Sequence, residues 1–143
     1  MLRWIPAAAM LVVALIGAPV PAGAQTAPLE IAGATTVDAD KVIALVEAEK
    51  DLVILDNRRQ EDFNAGHIAG AIRILDTDLT EAKMASLVPS KTRPVLCYCN
   101  GVNCGRAAKA AQMAVGWGYT RIYYYALGMD EWKKLGLPLA SAQ

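Results

Sequence analysis

The stretch from Pro94 to Met113 constrains most strongly how this chain can fold. A proline opens an apolar run of strand type, Val95-Leu96-Cys97-Tyr98, which ends at Cys99. A short polar segment follows, Asn100-Gly101-Val102-Asn103-Cys104-Gly105-Arg106, and Ala107-Ala108-Lys109-Ala110-Ala111-Gln112-Met113 then begins a helix. Strand, tight loop and helix in that order place a thiol where the C-terminal end of a strand meets the N-terminus of a helix. The orphan N–H groups and the positive end of the helix dipole favour thiolate over thiol there. Cys99 is therefore the candidate nucleophile.

The ends of the chain carry different information. Met1-Leu2-Arg3 is a short positive start, Ile5 to Ile16 is an apolar run, and Ala22-Gly23-Ala24 is a small-x-small site before Gln25. Residues 1–24 read as a secretory signal peptide, short in its apolar part for a spanning helix; the rival reading is an uncleaved membrane anchor. The expected protein is exported, periplasmic in a Gram-negative source, and free of the membrane once the leader is cleaved. Loss of Arg3 leaves thirteen basic against fourteen acidic side chains, so the charge balance points to no bulk electrostatic partner. No basic run interleaved with aromatics suggests nucleic acid. A small solute or another protein is the expected partner.

Between the ends, β and α patterns alternate. Residues 25–34 form a polar lead-in expected to be flexible, and residues 35–140 one domain. Asp38 is a candidate N-cap for a helix carrying Val42, Leu45 and Val46 on one face. Leu52-Val53-Ile54-Leu55, closed by Asp56, suits a strand covered on both faces. A helical turn over Gln60 to Asn64, a short strand over Ala71 to Ile74 and a helix over Thr80 to Leu87 precede the Cys99 strand. A strand over Arg121 to Tyr125 and a helix over Met129 to Leu135 follow. Alternation with short connections implies an α/β domain, a mostly parallel sheet with helices on both faces.

Three cysteines, Cys97, Cys99 and Cys104, lie within eight residues. Their odd number and bunching argue for chemistry rather than a disulfide scaffold. Cys97, inside the strand, reads as core filler. Cys104 could resolve a disulfide with Cys99, donate a hydrogen bond to the reactive sulfur, or cap the helix. Arg106, in the first helical turn, is either an anion clamp or a surface charge; a cation there opposes the dipole. The Cys-x-Cys-x4-Cys spacing, even with His67, lacks the paired-ligand look of a zinc site, and no metal or cofactor is expected. Upstream, Asp56 ends a strand on the same sheet edge as Cys99. Asp56 and Arg58 read as an ion pair holding loops, with a substrate role open for Arg58. His67, between Gly66 and Ile68, reads as a residue that fastens a turn rather than as a general base.

Together these segments resemble the rhodanese (sulfurtransferase) family. The first half of the resemblance is the strand ending in Asp56-x-Arg58, then Glu61-Asp62-Phe63 and Gly66-His67-Ile68-x-Gly70-Ala71. The second half is the strand into Cys99, its loop, and Asp130-Glu131-Trp132-Lys133-Lys134-Leu135-Gly136-Leu137-Pro138. The paired-cysteine loop is similar to that of exported single-domain members. The resemblance implies a five-stranded sheet and catalysis by Cys99. It implies that Cys99 takes a sulfane sulfur from a donor such as thiosulfate or a protein persulfide. A thiol, cyanide or an acceptor protein then removes it from the resulting persulfide. It also implies that the N–H groups of the loop from Asn100 through Gly101, Val102, Asn103, Cys104 and Gly105 to Arg106 converge on the outer sulfur.

Two departures stand out. Cys104 occupies the place five residues after the cysteine where the family has arginine, and Arg106 comes two later. The family's Gly-Gly before the last helix reads Leu127-Gly128. The rival readings are a non-catalytic sulfur carrier or docking module, and a thiol–disulfide redox protein using Cys99 and Cys104. Phosphatase or arsenate-reductase chemistry, which related folds perform with Cys-x5-Arg, is disfavoured by the Cys-x6-Arg count from Cys99 to Arg106.

Overall fold

Three four-residue runs, Val53–Asp56, Val95–Tyr98 and Ile122–Tyr125, supply the centre of one sheet in the computed structural model, which describes residues 26–141. The expected signal peptide lies outside the described residues. In chain order the elements are β1 (Ala34–Thr36), α1 (Ala39–Ala48), β2 (Val53–Asp56), α2 (Gln60–Ala65) and β3 (Ile72–Arg73). A 3₁₀ turn (Asp76–Asp78), α3 (Glu81–Leu87), β4 (Val95–Tyr98), α4 (Arg106–Gly116), β5 (Ile122–Tyr125) and α5 (Gly128–Lys134) complete them. The strand order is β1-β5-β4-β2-β3, and every pairing is parallel. In register, Asp56 faces Tyr98, and Tyr98 faces Tyr125.

The pleat sorts each central strand onto two faces. Val53, Leu55, Val95, Cys97, Ile122 and Tyr124 pack with α3 and α4. Ile54, Leu96, Tyr98 and Tyr125 pack with α1 and α5 through Val42, Leu45, Met129 and Trp132. The fully buried residues of α4 are all alanines, Ala107, Ala108, Ala110, Ala111 and Ala114, with Met113 and Val115 packed beside them. Side chains as small as alanine let the helix lie close against β4 and β5. Two helix starts carry the side-chain caps their sequences suggest: Asp38 accepts from the Lys41 N–H and Thr80 from the Lys83 N–H. Each such cap stabilises its helix by about 1 kcal/mol.

Several expectations need correction. The lead-in is not loosely held over its described part: Ala27 and Ile31 are buried, and the Tyr124 hydroxyl donates to the Pro28 carbonyl at 2.8 Å. Its continuation, Ala34–Thr36, is the edge strand β1, so the packed unit begins earlier than residue 35. On α1, Val46 is exposed; Ala39, Val42 and Leu45 make the buried seam. Position 46 follows 45 by one residue, 100° around the helix, and so faces away from the sheet. The last helix starts at Gly128, one residue before the expected Met129.

Candidate active site

β4 stands between β2 and β5. From β2 the chain runs outward to β3, and from β4 it runs the other way to β5. The crevice between the C-terminal ends of β2 and β4 is thus a switch point, the usual place for a ligand site in an open parallel sheet. Cys99 is the first residue beyond β4 and Asn57 the first beyond β2; the Asn57 N–H donates to the Tyr98 carbonyl at 2.9 Å. The Cys99 sulfur lies 4.0 Å from the Asn57 carbonyl oxygen. Alternation puts Cys99 on the same face as Cys97, under α4, and only 2% of it is exposed.

Cys99 and Cys104 are joined by a disulfide, with Cα atoms 6.1 Å apart, inside the span a disulfide bridges. The Arg106 guanidinium lies over the pair: one Nη is 3.1 Å from the Cys104 sulfur and 3.7 Å from the Cys99 sulfur. Among the described residues Arg106 forms no salt bridge, so its charge is directed at sulfur alone. Arg106 opens α4 after Gly105, a cap with no side-chain hydrogen bond to the first turn.

The loop is fixed by its carbonyls rather than its N–H groups. The Met129 N–H donates to the Cys99 carbonyl at 3.1 Å and the Asp130 N–H to the Asn100 carbonyl at 2.7 Å. The Gly101 carbonyl takes the Cys104 N–H, and the Val102 carbonyl takes the Ala27 N–H. Among the described residues no acceptor takes the N–H of Asn100, Gly101, Val102 or Asn103. Consecutive backbone donors left over in one short loop are the kind of groups that can bind an anion. Gly128 makes the grip possible: its φ is +56°, and a Cβ there would collide with the backbone of Cys99 and Asn100. Of the Leu127-Gly128 pair, the residue that must be glycine is present. Asn103 and Gly105 are exposed; Asn100, Val102, Cys104 and Arg106 are half-buried.

Arg58 and Asp56 form the ion pair that their spacing suggested. Arg58 is fully buried, and its Nε and Nη donate to Asp56, with the closest pair at 2.7 Å; the same Nη reaches the Gly66 carbonyl at 2.7 Å. Its other Nη is buried with no hydrogen-bond partner among the described residues. Asp56 also accepts from the Arg58 N–H and from the Tyr98 hydroxyl, the latter at 2.5 Å. Burial raises the Tyr98 pKa, and the Asp56 carboxylate raises it further, so the phenol stays protonated as a donor. His67 Nδ1 is 2.8 Å from the Phe63 carbonyl, and its ring stacks on Phe63. Its backbone bridges Ala140 in both directions, so His67 ties the C-terminal segment to the turn. Burial pushes the Cys97 thiol up to about 12, which makes it inert.

Three functional neighbours escape a reading of the sequence alone. Tyr98 supports Asp56 from the adjacent strand; the equal ends of the two strand runs are the available signal. Asp62 receives the Asn100 amide at 3.5 Å, and Asp130 crowds Gly101. Their partners are tens of residues away, with no local pattern to connect them.

A model of the rhodanese-like domain matches residues 38–135. The uncharacterized protein YibN of Escherichia coli is 31% identical over 105 residues, covering 69% of this chain and 71% of that protein. The thiosulfate sulfurtransferase GlpE of Coxiella burnetii is 31% identical over 86 residues, covering 59% of this chain and 75% of GlpE. Among solved structures, the BH2092 protein of Bacillus halodurans superposes with a TM-score of 0.65 at 27% identity, over 76% of this chain and 77% of that one.

Proposed function

This chain belongs to the rhodanese-like domain family, and on that premise we propose that it is a sulfurtransferase acting through a persulfide on Cys99. The Cys99 thiolate attacks the outer, sulfane sulfur of a donor such as thiosulfate; the S–S bond of the donor breaks and sulfite leaves. The acceptor is a thiol, cyanide or a partner protein. One observation carries this reading: the Cys99 sulfur sits at a parallel-sheet switch point, under a guanidinium with no carboxylate partner among the described residues, at the start of a loop whose N–H groups from Asn100 to Asn103 are unclaimed. That environment stabilises a sulfur anion, first as thiolate and then as the terminal persulfide sulfur. GlpE, named for thiosulfate sulfurtransfer, is a relative with that chemistry in its name.

The disulfide favours a second reading, thiol–disulfide exchange through Cys99 and Cys104 with no sulfur transfer. Sulfite separates the two. The reduced chain, given thiosulfate without air, releases sulfite if Cys99 takes the sulfane sulfur. No sulfite from thiosulfate, together with no persulfide from a polysulfide donor, removes the transfer reading and leaves exchange.

A further inference from the structure

The disulfide raises the question of what a second sulfur in bonding reach does to a persulfide on the first. The inference rests on the transfer reading above and concerns the fate of the sulfur after it reaches Cys99. We propose that Cys104 is an internal acceptor that expels the sulfur as sulfide, making the chain a dithiol-dependent sulfide-releasing enzyme.

The step is balanced. The Cys104 thiolate attacks the inner sulfur of Cys99–S–SH. The Cys99–Cys104 disulfide forms, the bond to the outer sulfur breaks, and hydrosulfide leaves with that bond's electron pair. The sulfane sulfur is reduced by two electrons, and the two cysteine sulfurs are oxidised to the disulfide. A dithiol reductant of the medium or of a partner protein then opens the disulfide by exchange, is itself oxidised to a disulfide, and restores both thiols.

Three features support attack at the inner sulfur. The bond present in the fold joins the two Sγ atoms, which is the product of inner attack; outer attack would move the persulfide to Cys104 instead. The Arg106 guanidinium reaches both sulfurs of the disulfide, 3.1 Å from Cys104 and 3.7 Å from Cys99, so it is within range of a thiolate at the attacking residue as well as at Cys99. Hydrosulfide is the anion of a stronger acid than an ordinary cysteine thiol, and it therefore leaves readily. Proximity adds to this: two residues five apart in one pinned loop react without the entropy cost that a dissolved acceptor pays. The position that carries arginine in the usual family loop carries the resolving thiol here, and Arg106 takes over the charge from two residues further on.

The test uses the full chain, reduced and freed of reductant, mixed without air with a limiting amount of thiosulfate. Sulfite, sulfide and intact mass are read together. Expected for the wild type is one sulfide for each sulfite, with a mass lower by two hydrogens and Cys99 linked to Cys104 in the peptide map. Expected for Cys104→Ala is sulfite without sulfide and a stable gain of one sulfur on Cys99. Added dithiol should restore repeated sulfide release in the wild type. If the wild type releases sulfite but keeps the extra sulfur, with Cys104 open to alkylation, the internal-acceptor step is wrong and the transfer reading stands. If neither protein releases sulfite from thiosulfate or gains sulfur from a polysulfide donor, the transfer reading falls and takes this step with it. Should Cys104→Ala fold poorly, the wild-type ratio of sulfide to sulfite decides alone.

Discussion

Two arginines sit at the same end of the sheet, one just past β2 and one opening α4, each two residues beyond its main partner, and they do opposite things. Arg58 follows Asp56, is fully buried, and gives its Nε and one Nη to that carboxylate and to the Gly66 carbonyl. Arg106 follows Cys104, is half-buried, and directs its charge at two sulfurs. One charge is neutralised on the spot and holds the β2 turn to β4 through Tyr98. The other is left available where a sulfur anion would form. Spacing and residue type are alike in the two segments. What differs is whether an anion is already built in.

The most damaging test of this contrast removes the sulfur that the free charge serves. Cys99→Ser should bring sulfite release from thiosulfate down to the uncatalysed background while the fold persists, because a hydroxyl at this site does not ionise as a thiol does. Sulfite measured beside far-UV circular dichroism checks it, and wild-type turnover in the variant would end the assignment. Next in size, Arg58→Ala leaves the Asp56 carboxylate buried beside Tyr98 without its cation. The expected cost is about 3–5 kcal/mol of unfolding free energy, of the kind seen when one partner of a buried ion pair is removed. A denaturant titration reads it; a loss of activity at full stability would show that Arg58 acts on substrate after all. Smallest is Arg106→Gln, which should change stability by no more than about 0.5 kcal/mol and slow sulfite release about tenfold, equal to about 1.4 kcal/mol in the barrier. With the cation gone, thiolate is less favoured, so the pH midpoint for alkylation of reduced Cys99 should move up. An unmoved midpoint would mean that the loop N–H groups alone set the thiolate.

The sheet was largely legible because its central strands are buried apart from Tyr123: short apolar runs, two of them closed by Asp56 and Cys99, leave little choice of element. The helix starts at Asp38 and Thr80 were legible because capping is a local bond between residues three apart. β1 was not, since Ala34-Thr35-Thr36 at a sheet edge has no apolar pattern to display. At the site, Cys99 could be placed from its strand–loop–helix setting. The Asp56–Arg58 pair could be named from its spacing too, but its complete burial and the Gly66 carbonyl and Tyr98 hydroxyl that join it could not, because they depend on the whole fold. The hold of α5 on the loop was equally hidden: Met129 and Asp130 bind through backbone N–H groups, which every residue but proline possesses.

The alanine face of α4 gives the reactive loop a long lever arm. Arg106 is the first residue of that helix, and the stripe from Ala107 to Ala114 is its fulcrum against β4 and β5. Because protein interiors are close-packed, a methyl group added at Ala111 or Ala114 cannot be absorbed where it lies. The helix must tilt or slide, and the displacement is carried to the end that bears the guanidinium. The reactivity of the two sulfurs is therefore open to adjustment from residues that never touch them. A chain drifting by ordinary substitution could retune this loop while every residue in it stayed the same.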